Sequence, residues 1–393
     1  MSDLIVRVAA RGEGVTADGR HAAFAAPGDT LTPENIVLPG PHQQAPPCRH
    51  FPQCGGCQLQ HLDDESYAAF LTDRITGALA AQGVAAPIRP PALSPPRTRR
   101  RAALQAESKG GAVTLGFSEG ASHNIVDLRD CWILTPALFA VIAPLRKLLA
   151  RVLKGRARIH LTEIDQGVDV LIEGKIADGL AAIEAVTAFC LANQIARLAI
   201  DDGIGPETRW EPDGVTITLG GVAVPFPAGS FLQATREGEG ALVAAVKEAV
   251  GGATVCADLF AGLGTFALSL PGKVYAAEAG RDVVLALQAG AARAGRAVFA
   301  EHRDLFRRPL TAAECDRFHA IILDPPRAGA KEQISQLAAS NVPIIAYVSC
   351  NPSSFARDTD ILCKGGYTLD WVQPVGQFRW STHVELAGRF RRT

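Results

Sequence analysis

Along the first 40 residues apolar and polar positions alternate, in LIVRVAARGEGV and again in HAAFAAPGDTL, between Gly, Asn and Pro breakers. A period of two sends one face of a strand inward and the other outward, so this stretch predicts a few short antiparallel strands in a small β module. The pattern turns helical over 63–83, DDESYAAFLTDRITGALAAQG, where acidic residues stand in the first turn, apolar residues recur at helical spacing and Gly83 closes the run. PIRPPALSPPR then reads as an ordered connection. From about 99 to 226, strand-like runs (AVTLGF, HNIVDL, ARIHLTEI, VDVLIEG, GVTITLGGVAVPF) mix with helices near 136–153 and 178–194, an α+β region. From about 237 onward, helical segments alternate with short β-rich runs: ATVCADLF, KVYAAEA, AVFAEH, HAIILDPP and VPIIAYVSC. Such alternation predicts right-handed βαβ units in a mostly parallel, doubly wound sheet, with ligands near the carboxyl ends of its strands. The expected organisation is a β module over 1–46, an α+β central domain over 47–226 and an α/β domain over 227–393, with the helix at 63–83 packing on the last.

Composition narrows the class. With 393 residues, 48 % hydrophobic and 20 % charged, the chain can bury sizeable cores in two or three domains, and disorder is excluded for most of it. MSDLIVRVAARGEGV lacks the basic and apolar regions of a signal peptide, and no apolar run approaches the roughly 18 residues of a spanning helix. A soluble, cytoplasmic protein without a membrane partner is expected. The charge balance of 39 Lys and Arg against 40 Asp and Glu argues against indiscriminate coating of nucleic acid, although RTRRR (Arg97 to Arg101) and GRFRRT at the C-terminus are local basic clusters.

Nine cysteines, an odd number, point to metal binding or chemistry rather than a disulfide framework. Three of them crowd into CRHFPQCGGC, with the spacing Cys-x5-Cys-x2-Cys at Cys48, Cys54 and Cys57, and Cys131 follows in LRDCWIL. Four thiolates could hold zinc or an iron–sulfur cluster, and spacing alone does not separate them.

The C-terminal region carries a second kind of chemistry. TVCADLFAGLGTFAL reads as a strand ending at Asp258, a glycine loop (Gly262, Gly264) and a helix start, a form that fits either NAD or S-adenosylmethionine. Glu278 ends the next strand, where it could accept hydrogen bonds from ribose hydroxyls of either cofactor. HAIILDPPRAG ends a strand in Asp324-Pro-Pro-Arg327, and the double proline holds the backbone extended, which suits a rigid pocket for a nucleobase. Cys190 and Cys256 read as small core residues. Cys350 instead stands where a strand meets Asn351-Pro352 and a helix start, a position expected to favour the thiolate. Glu385, in the apolar run STHVELAGRF, is either an edge-strand carboxylate facing solvent or a general base.

Taken together, DLFAGLGTF, LDPPRAG, YVSCNP and HVE, in this order and spacing, resemble the RNA uridine C5-methyltransferases that make 5-methyluridine in ribosomal and transfer RNA, over nearly the whole chain. The resemblance implies a Rossmann-like, S-adenosylmethionine-dependent methyltransferase domain and a central domain carrying an iron–sulfur site. It implies Cys350 as nucleophile and Glu385 as base, with the methyl donor held by Gln233, Phe260, Thr265, Glu278, Asp304 and Asp324. Thr265 stands where relatives commonly have Asn, and SFLQAT replaces a more usual FxQxN. It also implies a [4Fe-4S] cluster on Cys48, Cys54, Cys57 and Cys131, and a shortened oligonucleotide-binding barrel in the first 40 residues. The expected partner is RNA, ribosomal more than transfer RNA, with the target base flipped out, and a monomer is expected. In that setting RTRRR becomes a candidate for phosphate contact.

Three other readings predict different residues or ligands. An exocyclic-amine methyltransferase would place an aromatic residue after Asp-Pro-Pro, where Arg327 stands. Cytosine C5 chemistry would use the same residue types. An NAD oxidoreductase predicts nicotinamide binding, and an iron–sulfur RNA-binding protein without methyl transfer would not need Cys350 and Glu385.

Overall fold

The computed structural model describes residues 3–120 and 122–393, so Met1, Ser2 and Ala121 lie outside the described residues. The chain forms two compact units, each assembled from separate stretches: Met1–Asp63, Pro95–Thr216 and Arg379–Thr382 in the first, and Asp64–Ser94, Ile217–Phe378 and His383–Thr393 in the second.

The first unit holds two sheets. The alternating N-terminal pattern becomes a five-stranded antiparallel sheet in the order His21–Ala22, Gly14–Thr16, Asp3–Val8, Thr30–Leu31, Val37–Leu38. Ile5, Ala22, Ala25 and Leu31 form its small core. Buried Asp29 closes the PGD turn, accepting from Ala26 N–H and Gly40 N–H at 2.7 Å each. The larger sheet has six strands in the order Glu207–Trp210, Ile195–Asp201, Gly167–Ile176, Leu153–Ile164, Arg101–Lys109, Ala112–Gly116. Its one parallel pair, Gly167–Ile176 with Ile195–Asp201, is bridged by the helix Leu180–Ala192. The helix Pro136–Val152 starts where Thr135 accepts from Leu138 N–H and Pro136 fits a position that needs no N–H. Leu138, Val141, Ile142, Leu145, Leu148, Leu149 and Val152 recur every three or four residues along it and are buried in the core of the unit. HNIVDL, read as a strand, forms no regular strand; it lies against AVTLGF through a bridge between Ile125 and Ser118 and through Val126 N–H to Phe117 O and Leu128 N–H to Leu115 O, at 2.9 Å each.

The second unit is built on an eight-stranded sheet in the order Val298–His302, Lys273–Glu278, Val255–Leu259, Ala320–Leu323, Ile344–Ser349, Glu385–Arg392, Tyr367–Gly376, Ala92–Leu93. The first five strands are parallel, and Glu385–Arg392 runs antiparallel to both its neighbours. AIIL at Ala320–Leu323 is buried throughout, as a central parallel strand covered on both faces must be. Helices Arg236–Val250, Arg281–Arg293, Lys331–Ala338 and Pro352–Lys364 alternate with the strands. The helix Asp64–Ala80 belongs to this unit and packs on Pro352–Lys364. Gly388 lies beneath that same helix: a Cβ there would come within 2.6 Å of the Phe355 ring.

The glycine loop departs from expectation. Residues 262–269 form successive turns rather than an α-helix. Gly262 and Gly264 adopt φ of +54° and +92°, a left-handed geometry that interrupts helical propagation, and Asp258 Oδ2 takes Ala267 N–H at 2.8 Å. Among the described residues, no helix is long and apolar enough to cross a membrane.

Candidate active site

Three reactive side chains meet at one end of the eight-stranded sheet because of strand register. Ser349 pairs with Leu386 across antiparallel strands, so Cys350, which follows the one, and Glu385, which precedes the other, come face to face. Asp324 directly follows the neighbouring parallel strand Ala320–Leu323. Cys350 is half-buried at the mouth of the helix Pro352–Lys364, whose cap is Asn351, accepting from Ser353 N–H at 3.1 Å. Asn351 Nδ2 also donates to the Arg327 carbonyl at 3.0 Å, tying the segment after Cys350 to the LDPPR turn. Glu385 is 3 % exposed and sits on an interior strand, so the solvent-facing, edge-strand alternative does not hold.

The electrostatics run against one expectation. Burial first, then the negative charges of Glu385 and Asp324, push the Cys350 thiol up to about 11, with Arg327 opposing. The helix start does not make Cys350 a resting thiolate, because desolvation and two carboxylates outweigh a helix dipole of about 1 kcal/mol. Burial also raises both carboxyls, and the charge of Asp324 raises Glu385 further.

Two glutamines span the gap between these carboxylates. Asp324 Oδ2 accepts from Gln233 Nε2 (3.1 Å), Gln233 Oε1 from Gln377 Nε2 (2.7 Å), and Glu385 Oε2 from the same Gln377 Nε2 (2.9 Å). Gln377 had not been singled out in the sequence, where it is one polar residue in PVGQF.

On the neighbouring strands a second set of groups forms a ligand cradle. Glu278 accepts from Gly262 N–H (3.1 Å) and Gly280 N–H (2.8 Å), which holds the glycine loop against the end of the next strand. Phe260 takes a φ of +64°, and its ring packs at 5.4 Å from Phe306. Asp304 turns toward its own loop, accepting from Phe306 N–H at 2.9 Å, and Thr265 is half-buried in the glycine loop. Asp258 is fully buried, its Oδ1 has no hydrogen-bond partner, and burial with the charges of Asp324 and Glu278 pushes it up to about 8. Open space beside Gly262, carboxylates on adjacent strands and an unmatched buried oxygen fit a ligand that brings hydroxyl donors and positive charge.

The cysteine cluster lies in the first unit. Cys48, Cys54, Cys57 and Cys131 are free, buried and line one cavity with apolar neighbours such as Phe51, Phe117 and Leu128. Burial first, with neighbouring thiols of the set adding to it, pushes Cys57 up to about 12 and Cys131 up to about 11. Four thiols lining one apolar cavity fit a thiolate-ligated metal centre, whose positive charge would favour their deprotonated forms. The adjacent RTRRR does not form a solvated basic patch. Arg100 is 1 % exposed, burial lowers Arg99 against the pull of Cys57 and Cys131, and Arg101 is pushed down to about 10. Arg97 is exposed, its guanidinium 4.4 Å over the Trp132 ring.

A family model described as tRNA (Uracil-5-)-methyltransferase matches residues 291–391. The chain is 52 % identical over 393 residues to an uncharacterized RNA methyltransferase of Zymomonas mobilis, covering 99 % of each. It is 31 % identical to the 23S rRNA (uracil(1939)-C(5))-methyltransferase of Halomonas elongata, over 89 % of this chain and 77 % of that one. The fold is similar to that of the Pyrococcus abyssi tRNA (uracil-54, C5)-methyltransferase solved with S-adenosyl-L-homocysteine, with a TM-score of 0.74 and 22 % identity over 99 % of this chain and 100 % of that chain.

Proposed function

The chain belongs to the RNA uridine C5-methyltransferase family, and from that premise we propose that it methylates C5 of a specific uridine in 23S ribosomal RNA through a covalent adduct with Cys350. The observation that carries the mechanism is the register that sets Cys350 opposite Glu385 beside Asp324. Ribosomal RNA is favoured over transfer RNA by the 31 % identical relative.

Uracil C5 is too weak a nucleophile to take a methyl group unaided. The Cys350 sulfur adds at C6, and the C5=C6 electron pair moves toward O4 as an enolate. Bound S-adenosylmethionine supplies an electrophilic methyl group on a sulfonium. The enolate carbon C5 forms the new C–C bond as the methyl–sulfur bond breaks. Glu385 then takes the C5 proton, the C–H pair restores the double bond, and the S–C6 bond breaks to return the Cys350 thiolate. Because the free thiol is held neutral, its proton must leave to solvent before attack, so that Glu385 is a carboxylate when C5 gives up its proton. Gln233, Phe260, Thr265, Glu278, Asp304 and Asp324 would hold the methyl donor. The target base is extruded from its RNA, at a cost of a few kcal/mol that is least in a loop.

Cys48, Cys54, Cys57 and Cys131 would hold a [4Fe-4S] cluster, whose role is structural since no step of the reaction moves an electron. The test uses the purified protein with 23S RNA or transfer RNA containing 5-fluorouridine, in which fluorine cannot leave as a proton does. A covalent complex formed with 23S RNA and absent in Cys350→Ala is expected. No complex with either RNA overturns the covalent mechanism, and a complex with transfer RNA alone overturns the substrate.

A further inference from the structure

Gln377 directly follows the strand Tyr367–Gly376, is 1 % exposed and uses every hydrogen-bonding position that its neighbours offer. Its Oε1 accepts from Ala234 N–H at 2.8 Å, while its Nε2 donates to Gln233 Oε1 and to Glu385 Oε2. A backbone N–H can only donate, so Ala234 fixes which end of the Gln377 amide is oxygen. Both amide hydrogens are then committed, to Gln233 and to Glu385. That commitment fixes Gln233 in turn, because its oxygen is taken and its nitrogen must face Asp324 Oδ2. One backbone group therefore sets the polarity of the whole chain, and each end presents an N–H to a carboxylate oxygen. The helix Arg236–Val250 packs closely on this side chain: a Cβ at Gly238 would lie 2.5 Å from Gln377 Cβ.

We propose that Gln377 is a positioning residue for proton removal, an inference that rests on the methyl-transfer reading above. By donating to Glu385 Oε2 it keeps that oxygen a lone-pair acceptor, so the C5 proton is received on Oε1. It also holds the carboxylate in one rotamer and stabilises its charged form, the form able to act as base. Gln377 does not touch the reacting atoms in this scheme. Attack by Cys350 and methyl transfer do not use the bond to Glu385, and a saturating methyl donor offsets the lost bond to Gln233; loss of the C5 proton, re-formation of C5=C6 and expulsion of the thiolate depend on the bond to Glu385.

The test separates these steps in Gln377→Met, which keeps the length of the side chain and removes both donor and acceptor, and in Gln377→Glu, which keeps its shape and replaces the donor by an acceptor. Single-turnover reactions with methyl-labelled donor are divided into protein-bound RNA and free product. In both variants, methyl transfer into the bound fraction should stay within about twofold of wild type. Release of free 5-methyluridine RNA should fall at least about tenfold, so that the adduct accumulates. In Gln377→Met the acid limb of the release rate should move to higher pH, because losing an N–H donor raises the proton affinity of Glu385. Release that keeps pace with wild type at every pH in either variant overturns the proposal. Failure of the wild-type protein to form any adduct with 5-fluorouridine RNA overturns the covalent mechanism instead, so the two failures are distinguishable.

Discussion

The cysteines of the first unit and Cys350 of the second are the same side chain under the same pressure, yet they keep different company. In both places burial is the largest cause raising the thiol. Around Cys57 the titratable neighbours are other thiols, which at neutral pH already hold their protons and cannot accept another. Around Cys350 they are carboxyls, themselves raised by burial into a range where they can bind and release one. An elevated pKa therefore does not distinguish a structural thiol from a reactive one. The neighbour able to accept the proton does, and a shared metal centre would serve the first set as a carboxylate serves the second.

The largest expected effect that tests this contrast is Cys350→Ala, which should lower 5-methyluridine formation by at least about 10⁴-fold, the scale of losing a catalytic nucleophile, as read by nucleoside mass spectrometry. Residual methylation within tenfold of wild type would place the chemistry elsewhere. Next, Cys131→Ala should remove iron and sulfide from protein purified without oxygen and lower the melting temperature by about 6–12 °C, for a loss of about 3 kcal/mol. Stoichiometric zinc in a colourless wild-type protein would sink the cluster assignment but leave the contrast standing. A third test reads Cys350 directly. Its alkylation rate should keep climbing beyond pH 9, where an unperturbed thiol levels off, since the thiol is pushed up to about 11. Glu385→Gln removes one of the charges that raises it and should move that rise to lower pH; a plateau already reached at pH 7 would mean a resting thiolate. The smallest effect belongs to Asn351→Ala, which removes the helix cap beside Cys350 and should cost about 1 kcal/mol in a denaturant titration.

Much of the fold could be read from the runs of apolar residues, because buried parallel strands leave little else in the sequence. HAIILDPP and VPIIAYVSC became the adjacent strands Ala320–Leu323 and Ile344–Ser349, with Asp324 and Cys350 at matching ends. The helices at 63–83 and 136–153 were equally visible from their caps and spacing and appear as Asp64–Ala80 and Pro136–Val152. HNIVDL lies against AVTLGF through Val126 N–H to Phe117 O and Leu128 N–H to Leu115 O, but Leu115 N–H turns to the Asp127 side chain, so the pairing is not a regular ladder. The burial of Arg99 to Arg101 was hidden, since local sequence does not say which side of a sheet a charged run will meet. Gln377 was hidden for a related reason. Its partners, Gln233, Ala234 and Glu385, come from two other stretches of chain, and only the folded sheet brings them to one point.

Gly388 gives the site a mutational signature of its own. It shares a strand with Glu385, and the helix that begins just beyond Cys350 rests on it through Phe355. The spacing between the strand that begins at Glu385 and the helix that begins beside Cys350 thus depends on a side chain that is absent. Substitutions at Gln377 should divide catalysis from folding, whereas at Gly388 an added carbon must displace the buried Phe355 ring and so disturbs the packing beneath the helix that begins beside Cys350. A survey of tolerated substitutions should find position 388 strongly biased toward glycine, although no atom of it need ever meet the RNA.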